Sequence, residues 1–186
     1  MLGMPGALSD VRVIEMGTLL AGPFCGQQLA DHGAEVIKIE PPGKGDPMRD
    51  WGQEIAEGRS LWWPVVARGK KSVTVNLREE AGQELVRKLV KEADVLIENF
   101  RPGTLERWGL SPETLHAINP RLIITRVSGW GQFGPNSGQP GFGAIGEAVG
   151  GIRYTTGDPD RVPSRTSISI GDTLTATGTI LTWRPN

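Results

Sequence analysis

Few residues in this chain combine reactive chemistry with an informative position, and Asp172 leads them. It follows Gly171, precedes Thr173-Leu174-Thr175, and comes just after the apolar run Ser167-Ile168-Ser169-Ile170. A carboxylate at a helix start accepts bonds from the first-turn amides, and those amides and the helix dipole keep it ionised. An ordinary N-cap has that description. A presented, ionised carboxylate also has the chemistry of a covalent nucleophile, so both readings stand. Asn99-Phe100-Arg101-Pro102-Gly103 offers an amide, an aromatic face and a guanidinium for a nucleotide-like ligand, or simply a turn with a core phenylalanine. Lys38, Lys70 and Lys71 are candidate phosphate contacts, although most lysines are solvated. Cys25, the single cysteine, has no histidine near it in sequence and reads as a small buried residue. His32 and His116 read as surface or capping groups. Gly141-Phe142-Gly143-Ala144-Ile145-Gly146 matches G-x-G-x-x-G, but Pro135 to Pro140 rather than a strand precedes it, and the later acids, Asp158 and Asp160, lie in a proline-rich loop instead of at a strand end. A flexible glycine loop is the better account.

The elements that must position these residues alternate along the chain. Val11–Met16 reads as a strand, Ala21–His32 as a helix stopped by Gly33, and Glu35–Glu40 as a second strand. Ser72–Leu77 reads as a third strand, Glu79–Glu92 as an amphipathic helix and Asp94–Glu98 as the next strand. Ser111 is an N-cap with Pro112 at the first helical position, and Leu122–Val127 is another buried strand. Repeated strand–helix–strand units predict an α/β fold, a Rossmann-like, mostly parallel open sheet with flanking helices. Such sheets bind ligands beyond the carboxyl ends of their strands. Residues 1–128 form this region. Residues 129–166 are expected to be a glycine-rich loop or linker, with ten glycines between Gly129 and Gly157. Residues 167–186 are expected to hold a short strand, a turn at Gly171-Asp172 and the start of a helix over Thr173–Trp183.

Composition narrows the classes further. Twenty basic and twenty-one acidic residues leave a formal charge of −1 over 186 residues, without the basic face that nucleic acid or an anionic membrane demands. One cysteine and two histidines do not build a structural zinc site. No apolar run approaches the roughly 20 residues of a membrane span, and the N-terminus lacks the pattern of a secretory signal. A cytoplasmic protein is expected. The 26 glycines and 14 prolines, about a fifth of the chain against a usual share near 12%, imply many tight turns and close backbone approaches.

A longer set of matches carries a resemblance. Leu20-Ala21-Gly22-Pro23-Phe24, then Leu29 and Ala34 through Glu40, then Gly43-Lys44-Gly45-Asp46 and Met48-Arg49, occur in order. Lys70-Lys71-Ser72, Glu98 through Gly103, Leu110, Asn119-Pro120-Arg121, Ser128 through Gln132 and Gly171-Asp172 continue it. The chain resembles the class III CoA-transferases, the CaiB/BaiF family that includes formyl-CoA transferase. The resemblance implies that Asp172 attacks the thioester of an acyl-CoA and carries the acyl group, then CoA, in covalent form. It implies CoA contacts at Thr18, Leu19, Leu20 and Ala21 and at Asn99, Phe100 and Arg107. Pro42 replaces an arginine found in some relatives, which leaves Lys44 or Lys71 for the phosphates. Acyl-CoA is expected as substrate with no permanently bound cofactor, a carboxylic acid as acceptor, and a homodimer, interlocked in the family, as the assembly. Family members run to about twice this length, so the chain is expected to be a fragment or a truncated product.

Two other readings come with the resemblance. An α-methylacyl-CoA racemase pairs a histidine with the aspartate, but Gly141-Phe142-Gly143 stands where that histidine belongs. A truncated, non-catalytic CoA-binding or dimerisation module would keep the sheet without the loop that covers the aspartate. An NAD-dependent enzyme, the reading that G-x-G-x-x-G would serve, comes third. The acyl donor and acceptor are not legible.

Overall fold

The computed structural model describes residues 6–52, 55, 56 and 58–182. From the N-terminus, β1 (Arg12–Glu15) leads into α1 (Ala21–Asp31) and β2 (Glu35–Glu40). A 3-10 turn at Pro47–Asp50, the two-residue strands β3 (Ile55–Ala56) and β4 (Arg59–Ser60), and α2 (Trp63–Ala67) follow. The chain then runs through β5 (Lys70–Thr74), α3 (Glu80–Val90), β6 (Val95–Glu98), α4 (Thr104–Arg107), α5 (Pro112–Ile118) and β7 (Ile123–Arg126). Two helices close it, α6 (Gly143–Val149) and α7 (Ile170–Thr182).

Five strands make one all-parallel sheet in the order β5-β2-β1-β6-β7, and β3 with β4 form a separate small hairpin. Ile14 of β1 lies opposite Ile37 of β2 and Leu96 of β6. The sheet grows outward from β1 through β2 and β5, then the chain returns to place β6 on the free side of β1. The order therefore reverses between β1 and β6, the point at which such sheets open a ligand crevice.

Alternation along the strands sends side chains to two faces, each covered by helices. Ile14, Ile39 and Leu96 join Val86 and Val90 of α3 and Leu115 of α5 on one face. Val13, Val36, Val95 and Ile97 join Cys25 and Leu29 of α1 and Ala176 of α7 on the other. Truncating one of these fully buried aliphatic residues to Ala costs about 2–5 kcal/mol, so both faces contribute.

The predicted sheet is present, with differences in detail. β5 starts at Lys70 and ends at Thr74 rather than running from Ser72 to Leu77, because the charges of Lys70 and Lys71 find partners in Glu15 and Glu35. Ser111 caps α5 through its side chain, which accepts from the Thr114 amide, with Pro112 at the helix start. Within the segment that reads as a glycine-rich loop or linker, Gly143–Val149 form the short helix α6. Ser167–Ile170 is not a strand: the Ile170 amide donates to the Ile168 carbonyl at 2.9 Å, a tight turn leading straight into α7. Gly171 and Asp172 consequently lie inside the first turn of α7 rather than before it. The predicted end of this helix at Trp183 and the tail to Asn186 lie outside the described residues.

Candidate active site

Beyond the carboxyl ends of β1, β6 and β7 the surface opens into a cavity of about 560 Å³. Thr18, Leu19, Leu20 and Ala21 line it from the β1 side, Asn99 and Arg101 from β6, and Ser128 and Gly129 from the segment after β7. Gly143 and Ala144 of α6, together with Arg165, Gly171, Asp172 and Thr175 around the start of α7, form the opposite wall. Met48, Trp51 and Trp62 add an apolar side.

The β1 loop is fixed by bonds to its backbone. The Thr18 amide donates to Asn99 Oδ1 at 2.7 Å, and Asn99 Nδ2 donates back to the Thr18 carbonyl at 2.8 Å. Leu19 adopts φ +61°, a left-handed conformation that costs a non-glycine residue roughly 1–2 kcal/mol. Its amide donates to Asp46 Oδ1 at 3.0 Å, an oxygen that also receives the Met48 amide at 2.8 Å. Leu20, the residue before α1, offers no side-chain cap, so first-turn amides of α1 are left for solvent or an anionic ligand.

Beneath this loop lies a buried chain of charges. Lys38 of β2 pairs with Asp46 Oδ2 at 2.8 Å and Glu15 Oε1 at 2.9 Å, and donates to the Gly17 carbonyl. Lys70 pairs with the other Glu15 oxygen at 2.6 Å and donates to the Pro23 carbonyl. Burial opposes the charge on Lys38, but Glu15 and Asp46 prevail and raise its pKa; for Lys70 burial prevails over Glu15 and lowers it. Gly26 of α1 makes room for the cluster, since a Cβ there would stand 2.0 Å from Glu15 Oε2. Glu40 joins through its bond from the Asp46 amide and its contacts with Arg49 and Ser72. Burial works against its charge, yet those donors bring its pKa down to about 2. The stability Glu40 contributes is therefore present above its ordinary carboxyl pKa and lost as pH falls towards 2.

Asp172 is treated differently. Its carboxylate is half-buried and makes no hydrogen bond with any described residue. Gly143 and Gly171 meet backbone to backbone beside it: a Cβ on Gly143 would lie 2.6 Å from Asp172 Oδ2, and one on Gly171 equally close to the Gly143 carbonyl. Burial, reinforced by the charge of Glu147 and countered by Arg165, raises its pKa. The expected N-cap, held ionised by amides, is thus replaced by an under-bonded acid whose charged form is less favoured than in water. Such an acid is more basic, and a more basic carboxylate is the better nucleophile. Behind it, Glu147 of α6 is fully buried and pairs with Arg153 at 3.4 Å and Arg165 at 3.9 Å.

The structure brings Thr18, Leu19, Leu20, Ala21, Asn99 and Asp172 together around one cavity. Lys44, Lys71, Phe100 and Arg107 do not line it. Lys44 is exposed on the turn after β2. Lys71 pairs with Glu35 at the amino end of the sheet, away from the crevice. Phe100 turns into the core, edge-on to Trp108 at 5.1 Å, and Arg107 donates to Thr104 Oγ1 at 2.8 Å. Lys38 and Lys70, candidate phosphate contacts by sequence, are consumed by the buried cluster. Burial lifts the Cys25 thiol pKa to about 12, in keeping with an inert residue. His32 and His116 donate to the carbonyls of Gln28 and Leu122. Met48, Trp51, Trp62 and Arg165 also line the cavity, and nothing in their local sequence pattern marks them as site residues. Among the described residues no helix is long and apolar enough to cross a membrane, and no cluster of three or more His, Cys, Asp or Glu is placed to hold a metal.

A parallel sheet with order reversal at β1, a loop and helix start at that reversal, and an acid facing them define a Rossmann-like α/β protein with a crevice at the reversal. The family model for CoA-transferase family III matches residues 8–182, and the chain belongs to that family. It is 65% identical over 173 residues to succinyl-CoA–D-citramalate CoA-transferase of Chloroflexus aurantiacus, covering 93% of this chain and 43% of that protein. It is 42% identical to succinate–glutarate CoA-transferase of Agrobacterium fabrum, over 90% of this chain and 44% of that protein. The crystal structure of a CaiB/BaiF family protein from Brucella suis superposes with a TM-score of 0.86 at 39% identity, covering 96% of this chain and 50% of that one. The chain thus spans less than half the length of the curated relatives it matches.

Proposed function

We propose that this protein transfers CoA from an acyl-CoA to a carboxylic acid through a covalent intermediate on Asp172. The observation that carries the proposal is the under-bonded Asp172 carboxylate in the wall of the cavity, opposite the fixed Thr18–Ala21 loop. A carboxylate oxygen of Asp172 attacks the thioester carbonyl carbon, the C–S bond breaks, and CoA leaves as thiolate with a mixed anhydride on Asp172. The thiolate then attacks the aspartyl carbon of the anhydride, releasing the donor acid and leaving an aspartyl-CoA thioester. An acceptor carboxylate reverses the sequence: it attacks the aspartyl carbon, CoA thiolate departs, and the thiolate takes the acceptor acyl group and frees Asp172. Each step exchanges acyl bonds of similar energy, and water must be kept from the anhydride.

In this reading Thr18–Ala21 and Asn99 hold the thioester end of CoA. Lys44 and Arg107 serve its remote end; Phe100, packed against Trp108 in the core, and Lys71, engaged by Glu35, take no part. The names of the relatives support dicarboxylic acyl groups as donor and acceptor. A cytoplasmic homodimer belongs to the same reading. Phe133, Tyr154 and Val162, each 87–88% exposed, support an assembly that covers them.

The test is chemical trapping. The native-length chain is incubated with succinyl-CoA and hydroxylamine, and the peptide containing Asp172 is weighed by mass spectrometry. A hydroxamate at Asp172 is the expected result. Exchange of the acyl α-proton without labelling points to racemisation instead, and CoA binding with neither points to a non-catalytic module.

A further inference from the structure

The mechanism above uses one charged side chain of the cavity and leaves another unexplained. Among the described residues lining the cavity, Arg101 and Arg165 supply the positive charge, and of these Arg165 is the one whose charge acts on Asp172. Its Nε stands 3.9 Å from Glu147 Oε2, beyond hydrogen-bond length, while Arg153 holds that same oxygen more closely at 3.4 Å. Glu147 is 1% exposed and so is a fixed anchor, whereas the Arg165 side chain is 57% exposed and reachable by a ligand. Arg153 offsets the Glu147 charge, and the Arg165 guanidinium keeps its donors uncommitted beside the nucleophile.

An acyl group ending in a second carboxylate would bring a negative charge towards Asp172 and Glu147. Without a cation that charge is repelled and poorly solvated in the cavity; a guanidinium answers it with two parallel N–H donors matched to a carboxylate. A methyl-terminated acyl group has no such need.

We propose that Arg165 recognises the free carboxylate of a dicarboxylic acyl group bound at Asp172, with Glu147 as the positioning residue behind it. The inference rests on the CoA-transfer reading for the placement of the acyl group and assigns the side chain that selects it. The test compares succinyl-CoA with butyryl-CoA, which differ in a terminal carboxylate against a methyl group. Affinities are measured by titration calorimetry on the native-length chain and on R165Q and R165K. The native chain is expected to prefer succinyl-CoA. That affinity ratio should fall about tenfold or more in R165Q and by less in R165K, which keeps the charge but loses the fork. No preference in the native chain, or a ratio unchanged in R165Q, overturns the role of Arg165. If R165Q does not fold, the ratio in R165K decides. Hydroxamate labelling separates the two ideas: labelling with an unchanged ratio removes Arg165 alone, and a ratio that falls without labelling removes the transfer mechanism alone.

Discussion

The β1 loop and the α6–α7 junction face each other across the same cavity, and both are built around buried acids. On the β1 side, Glu15 and Asp46 are locked between Lys38 and Lys70, and Asp46 passes the constraint to the Leu19 amide. Across the cavity, Asp172 has no hydrogen bond to any described residue, and among the described residues the Glu147 carboxylate meets two cations at long distances, Arg153 and Arg165. Bonding every acid fixes geometry, while withholding bonds from one leaves it basic and available. In the proposed mechanism this contrast divides the work: one wall holds a loop for ligand, the other keeps a carboxylate available.

If that division holds, substitutions on the two walls should separate activity from stability. D172N should remove hydroxamate labelling and lower kcat by at least about a thousandfold while leaving the thermal midpoint nearly unchanged; a large loss of stability would contradict the idea that the carboxylate carries no structural bonds. K38M removes the cation shared by Glu15 and Asp46, and urea unfolding should show a loss of about 3–5 kcal/mol. A third comparison uses pH. Because the active form of Asp172 is the carboxylate and its pKa is raised, kcat/KM should fall as pH drops through a value above the ordinary aspartate range. E147Q removes a neighbouring negative charge and should move that acid limb to lower pH. A limb that stays in place would show that burial, not Glu147, sets the nucleophile's basicity. The smallest effect is expected at Leu19: L19G relieves a left-handed backbone at the expense of chain entropy, and the melting curve should report a change below about 1 kcal/mol.

The sequence revealed one of these walls far better than the other. Strands β1, β2, β6 and β7 were legible because continuous apolar runs bounded by Gly and Pro have few alternatives in an α/β chain. The cluster beneath the loop was not, since a lysine in a strand is ordinarily solvated and nothing local says that Lys38 and Lys70 share an acid on another strand. Asp172 was legible as an acid in the candidate site, but its setting was not. Its expected N-cap bonds depend on where α7 begins, and the alternation Ser167–Ile170 imitates a half-buried strand. Glycines around residues 141–146 read as flexibility; the contact between Gly143 and Gly171 shows them serving close approach, a role invisible without the partner segment. Trp51, Trp62 and Arg165 reach the cavity from separate parts of the chain, a convergence set by tertiary structure alone.

Gly26 carries a consequence for anyone seeking a hardier version of this protein. Exchanging a mid-helix glycine for alanine is a routine way to gain about 1 kcal/mol through helix propensity. At this position the added methyl would be driven into the Glu15 carboxylate and would disturb the lysines on either side of it. The helix that looks easiest to improve is therefore one whose imperfection must be kept, because its missing side chain is the space in which the charges meet.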